Sequence, residues 1–224
     1  TGARDLTLTN TDAGTSTLSS AFTVVAKPVA VSLSPSSLGQ GAVERTVVVT
    51  GTGFQSGVSA SFSGSGVTVS SVDFTDPTSI TLRVTVDAAA ATGARDLTLT
   101  NPDAGRYVAT AAFTVTAKPV ASGVSPSSRG QGAVSQVLVV SGSGFVSGMS
   151  ASFSGSGVTV NSVLVTGPSS ATVSVTVDAA AATGARDLTL TNTDAGTSTL
   201  SSAFTVVAKP VAVSLSPSSL GQGA

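Results

Sequence analysis

From Ser79 to Val86 every second residue is apolar: Ile80, Leu82, Val84 and Val86 alternate with Thr81, Arg83 and Thr85. A period of two is what a strand with one buried and one wetted face requires. Shorter apolar runs lie on either side, separated by Gly, Pro, Asn and Asp. Together they predict strands over about 29–34, stopped by Pro35; 46–50, ended by a Gly51-Thr52-Gly53-Phe54 turn; 59–63; 67–74, after Gly64-Ser65-Gly66; 79–86; and 96–101, with Leu97 and Leu99 inward. A last strand follows the Asn101-Pro102-Asp103-Ala104-Gly105 turn and ends near Thr116. The polar stretch 36–41 reads as a turn. Ala88–Ala91 is the sole helix candidate; it is too short to stand alone and reads as a loop or single turn crossing between sheets. Seven strands in about 91 residues match an Ig-type sandwich in number and length.

This pattern repeats. Thr-Gly-Ala-Arg-Asp-Leu-Thr-Leu-Thr-Asn begins at Thr1, Thr92 and Thr183, and Lys-Pro-Val-Ala at Lys27, Lys118 and Lys209, both with a spacing of 91 residues. Residues 28–118 and 119–209 therefore align as two units without a gap. Residues 1–42 and 183–224 are identical, so the two unit types alternate with a longer period of 182. On this reading 1–27 is the C-terminal part of a preceding repeat, 28–118 a type 1 repeat, 119–209 a type 2 repeat, and 210–224 the N-terminal part of a following one. Val213, Ser214 and Leu215 there restate Val31, Ser32 and Leu33. The fold class expected is all-β, tandem Ig-like sandwiches arranged as beads in a rod, and the identical overhangs predict an excerpt of a longer array. Neither overhang can bury a sandwich face alone. Ordered ends would then imply completion by neighbouring protein, as in a section of a filament; the competing arrangement is side-by-side packing.

Val31-Ser-Leu-Ser-Pro35, then Gly41, then Val49-Thr-Gly-Thr-Gly-Phe54 resemble the opening of the IPT/TIG domain. Gly93 to Gly105 and Ala112-Phe113-Thr114-Val115 resemble its closing strands, and the stations recur at Val140–Phe145 and Gly184–Asn192. The resemblance covers both complete units and, by identity, both overhangs. It implies an Ig-like fold that serves receptors, transcription factors and bacterial surface arrays, so it leaves function to be argued from the residues.

Composition then narrows the chemistry. Only 9% of residues are charged and the net charge is −1, which leaves no electrostatic footprint for nucleic acid. Cys, His and Trp are absent, removing disulfides, thiolate or imidazole metal ligands and the usual catalytic base. No apolar run approaches the length of a membrane-spanning helix, so no membrane insertion is expected in this segment. The abundant Ser and Thr hydroxyls have no His to activate them. Lys27, Lys118 and Lys209 are the only lysines. Each precedes the Pro that starts a unit, a position that suits a solvated junction better than a Ser–Lys pair or a buried crosslink.

Carboxylates give no better candidate. Asp73 and Asp76 become Leu164 and Gly167 in the second unit, and Asp87 and Asp178 precede Ala runs where short side chains bond loop amides. Arg95-Asp96 and Arg186-Asp187 read as local ion pairs. The turn at Asn101–Gly105, repeated at Asn10–Gly14 and Asn192–Gly196, offers too few oxygens for calcium and reads as a hairpin turn. Gly51-Thr-Gly-Phe54 and Gly142-Ser-Gly-Phe145 precede no helix that would hold a phosphate; Phe54 and Phe145 read as core plugs. No Asn-x-Ser/Thr acceptor occurs, though the Ser/Thr faces suit O-glycans. The expectation is no catalytic, cofactor-binding or metal site.

What remains is a structural repeat of a bacterial extracellular filament, stalk or large adhesin, partnered by other copies or adjoining repeats. Between Val115 and Ala121 the chain has almost no flexible residue and Pro119 limits its freedom. Alternatives are an adhesive module for a surface receptor or glycan, or an accessory domain of a secreted hydrolase. An adhesive role directs attention to where the units differ, at Arg106-Tyr107-Val108 against Thr197-Ser198-Thr199 and Asp73-Phe74 against Leu164-Val165.

Overall fold

The alternation seen in the sequence becomes burial in the computed structural model, which describes residues 1–214 with Ser216, Ser219 and Gln222. In the strand Ser79–Val86, Ile80, Leu82, Val84 and Val86 are buried and Arg83 is exposed. Among the described residues there are strands and no helix. The first two are β1 (Gly2–Thr9) and β2 (Thr15–Val24). Then come β3 (Val29–Ser34), β4 (Ser37–Gly39), β5 (Arg45–Thr52), β6 (Ser59–Phe62), β7 (Val67–Asp76), β8 (Ser79–Val86), β9 (Gly93–Thr100) and β10 (Arg106–Thr116). The series repeats as β11 (Val120–Ser125), β12 (Ser128–Gly130), β13 (Gln136–Ser143), β14 (Ser150–Phe153), β15 (Val158–Gly167), β16 (Ser170–Val177), β17 (Gly184–Thr191) and β18 (Thr197–Val207).

Contacts divide the chain into two compact units, Thr1–Ala117 with Asp194–Gly196, and Lys118–Thr193 with Thr197–Ala224. In the first, sheets ordered β3-β5-β8-β7 and β4-β10-β9-β6 face each other, and β1-β2 form a separate two-stranded sheet. In the second, β11-β13-β16-β15 faces β12-β18-β17-β14. Each unit is thus an Ig-like β-sandwich built on alternating inward residues. The first core centres on Val47, Val49, Ile80, Leu82, Val84, Leu97, Leu99 and Phe113, all fully buried; Leu138, Val140, Val173, Val175, Leu188, Leu190 and Phe204 do the same in the second. Phe62 stacks at a tilt on Phe113 with ring centroids 4.7 Å apart, and Phe153 on Phe204 at 5.1 Å.

Two details differ from the sequence expectation. The stretch read as a turn at 36–41 holds β4, which pairs parallel with the end of β10, Leu38 opposite Val115. Leu38 is buried, and the chain changes sheets at the cis Ser34–Pro35 bond. Each sandwich, β3–β10 and β11–β18, consequently has eight strands where seven were expected. Strand β9 begins at Gly93, three residues before its first predicted position, because Gly93 and Ala94 pair with Val115 and Thr114. As expected, the Ala run at 88–91 is a turn, closed by Ala90 N–H donating to Asp87 O, and it carries the chain from β8 to β9 in the opposite sheet. Of the segment expected to open a following repeat, Leu215, Pro217, Ser218, Leu220, Gly221, Gly223 and Ala224 lie outside the described residues.

Candidate functional site

Several recurring polar side chains are bonded to backbone of neighbouring loops. Asp96 Oδ1 accepts the Ala111 amide at 2.8 Å, fixing a bulge where Ala111 takes a φ of 50°. Asp187 does the same for Ser202 at 2.8 Å. Arg95 donates to the Ala91 and Ala94 carbonyls, and Arg186 to those of Ala182 and Ala185. The Arg-Asp dipeptides, expected as local ion pairs, therefore serve two separate loops. Gln40 and Gln131 donate to the Ala90 and Ala181 carbonyls at 2.6 and 2.7 Å.

The Asn101–Gly105 loop is a hairpin turn. Asn101 N–H donates to Gly105 O at 2.9 Å, Ala104 N–H to Asn101 O at 3.0 Å, and Ala104 sits at φ 67°. Asp103 Oδ1 accepts the Gly105 amide at 2.9 Å and Oδ2 accepts Gln55 Nε2 at 2.6 Å, so both carboxylate oxygens are occupied. Buried Asn101 donates through Nδ2 to Gly53 O at 2.8 Å, and Asn192 to Gly144 O at 2.8 Å. These amides tie the turn to the loop that carries Phe54 or Phe145. Among the described residues no group of three or more Asp, Glu, His or Cys is placed to hold a metal ion.

Asp73 and Asp76, which the second unit lacks, lie on or beside the β7–β8 hairpin. Asp76 Oδ1 accepts the Thr78 hydroxyl at 2.6 Å and the Thr78 amide at 2.7 Å. Those bonds, the hydroxyl foremost, hold the Asp76 carboxyl below its ordinary pKa although it is solvent-exposed. Asp73 shares the outer face of the sheet with Thr81 and Val48.

That outer face separates the two unit types. In the first unit it carries Glu44, Asp73 and Arg83, with Glu44 accepting the Ser70 and Thr85 hydroxyls. The second has Ser135, Leu164 and Ser174 at those stations, and Asn161 bonds Ser174 and Thr176 in place of the Glu44 network. Val137, Val139 and Leu164 stand exposed on it. The charges that this face carries in the first unit are replaced by polar and apolar side chains in the second.

The other unit-specific station is Tyr107. Lys27 Nζ lies 5.4 Å from its ring centroid, within cation–π range. The counterpart Ser198 instead donates its hydroxyl to Pro119 O. Sequence reasoning singled out Tyr107 and the lysines separately. It missed their pairing, because nothing local links positions 27 and 107. Beside this pair, Phe22, Thr23, Val24, Val25, Asp103 and Gly105 line an open cavity of about 210 Å³.

Comparison with known proteins gives one family model and a set of solved structures. A family model described as quinohemoprotein amine dehydrogenase, alpha subunit domain III, matches residues 27–110. Similar solved structures include domains 5-6 of the S-layer protein SbsC, at 15% identity over 82% of this chain and 100% of that one, TM-score 0.28. The Yersinia pseudotuberculosis adhesin InvE follows at 16% identity, covering 80% of this chain and 58% of that one, TM-score 0.32. A glycan-utilisation protein of Bacteroides ovatus, SGBP-B, solved with a mixed-linkage heptasaccharide, aligns at 14% identity over 92% of this chain and 52% of that one, TM-score 0.27. No curated protein matches the chain. The chain is a tandem Ig-like repeat protein.

Proposed function

We propose that the chain is a non-enzymatic structural repeat of a bacterial extracellular filament, stalk or large adhesin. It is organised as repeats 28–118 and 119–209 of IPT/TIG type, with 1–27 closing a preceding repeat and 210–224 opening a following one. The observation that carries this reading is the fate of the recurring polar groups. Asp96, Asn101, Gln40 and Arg95, like Asp187, Asn192, Gln131 and Arg186, hold loops of the sandwich they belong to. Side chains committed to loops in this way add length without presenting a reactive cleft. Each sandwich also has its own fully buried core, so each resists extension separately.

Pulling single molecules by force spectroscopy tests the proposal. Two successive unfolding steps, each releasing about 30 nm for a unit of this length, are expected. A single merged step, or extension at negligible force, overturns it. A second reading, adhesion to a receptor or glycan, is favoured by the apolar face of Val137, Val139 and Leu164 and by the Lys27–Tyr107 pair. Binding to a glycan panel that is lost on Tyr107→Ala or Leu164→Asp supports that reading.

A further inference from the structure

A sheet that does not close into a barrel ends in two edge strands, whose outer backbone N–H and C=O groups accept a further strand readily. In the second sandwich the edges are β11 and β15 in one sheet and β12 and β14 in the other. Strands β12 and β14 have only three and four residues. Strand β11 has six, lies between Pro119 and Pro126, and shifts register between Ala121 and Gly123. Shortness, proline and irregularity are the usual protections of a sheet edge. Strand β15 has ten residues, Val158–Gly167, with neither a charge nor a proline among them.

The counterpart edge of the first sandwich shows what β15 has lost. Strand β7 also has ten residues, pairs with β8 in the same register, and shifts at the same two places. It carries Asp73 and Asp76 where β15 has Leu164 and Gly167. Glu44 also reaches the β7 edge through Ser70, a station that Asn161 takes in β15. An Asp73 carboxylate would meet its own image across a two-fold axis and hold two such edges apart. Leu164 brings no such repulsion, and it stands 64% exposed.

The spacing in β15 suits a copy of itself. Between its two register shifts, Ser162 to Val165 pair without interruption with Ser174 to Ala171. Directly opposed residues of antiparallel strands point to the same face, so in a symmetric pair one residue must oppose its own copy. With Leu164 in that place, the two exposed leucines meet on the outer face. Val163 then opposes Val165 on the inner face, where both are already half-buried, and Ser162 opposes Thr166.

We propose that the free edge of β15 is an interaction surface for β15 of a second copy of this chain, joined antiparallel so that two four-stranded sheets become one continuous sheet. Backbone groups of the edge supply the attraction and the Leu164 pair fixes the register. The inference rests on the structural-repeat reading above and gives it a lateral contact that type 2 repeats make and type 1 repeats refuse.

The full chain has no cysteine, so a single introduced thiol reports this contact. On mild oxidation Leu164→Cys should form a disulfide-linked dimer at least about 10-fold faster than Asp73→Cys. Sedimentation equilibrium of the native chain at up to about 500 μM should show a monomer–dimer equilibrium, with amide exchange at 163–165 slowing as the dimer forms. Leu164→Asp should abolish both; the first sandwich already folds with Asp73 at this station. Equal cross-linking of the two cysteine variants, a native chain that stays monomeric over that range, or dimers that survive Leu164→Asp overturns the proposal. Single-molecule unfolding is read on one chain and keeps its two force steps in every case, so failure here is distinguishable from failure of the structural reading.

Discussion

Phe54 and Phe145 occupy the same station in the two units, buried beside Gly51 and Gly142, where a Cβ would lie 2.6 Å from the ring. A side chain at either glycine would also strike the carbonyl of Val29 or Val120, so the Gly-x-Gly-Phe turn exists to let the ring in. Phe54→Ala should lower the stability of the first unit by about 3–5 kcal/mol in urea titration. A loss under about 1 kcal/mol would contradict a core role. Asp76 gives a pH-dependent case. Its folded pKa is depressed by the Thr78 hydroxyl and amide, so its stabilisation is present above the ordinary carboxylate pKa. That stabilisation fades as pH falls through the lowered value. NMR titration of the Thr78 amide should follow this transition in the native chain and lose it in Asp76→Asn. The second unit, with Gly167 at this station, should show no counterpart.

At the scale of elements, legibility followed apolar density. Strand β8 was readable to the residue because four apolar side chains alternate without interruption, and β3 because Pro35 ends it. Strand β4 was hidden, since its three residues carry one apolar side chain, Leu38, and its pairing with β10 is parallel and distant in sequence. The start of β9 was hidden for a related reason: Gly93, Ala94 and Arg95 join the sheet through backbone pairing and no large apolar group marks them. The turn at Asn101–Gly105 was read correctly from residue type, whereas the binding of Asn101 to Gly53 needed the tertiary fold. The importance of β4 can be measured. Leu38→Ala should cost about 2–5 kcal/mol and speed amide exchange at Thr114 and Thr116. If β4 is only an ornament, neither will change.

Across the whole molecule the two cores solve one packing problem with different side chains. Where the first unit has Val47, Val58, Ile80 and Leu82, the second has Leu138, Met149, Ala171 and Val173, all buried. Two stations grow and two shrink, and a fifth, buried Leu38, becomes half-buried Arg129. Stability residing in such cores asks nothing of bound ions. Adding a chelator should leave the melting temperature of the chain unchanged, and a clear drop in calorimetry would restore the calcium reading of the Asn-x-Asp-Ala-Gly turns. Sameness between neighbours carries a hazard of its own. Strands β9 and β17 are spelled alike, from Gly93 to Thr100 and from Gly184 to Thr191, and each pairs with the Ser-Ala-Ser-Phe strand of its own unit in the same register. An unfolded chain holding both cannot distinguish them by local contacts. Either copy can seat on either half-built sandwich, leaving a kinetic trap in which the two units are cross-wired. Folding one unit before the next is synthesised avoids that trap, which makes the order of synthesis part of what specifies the native pairing.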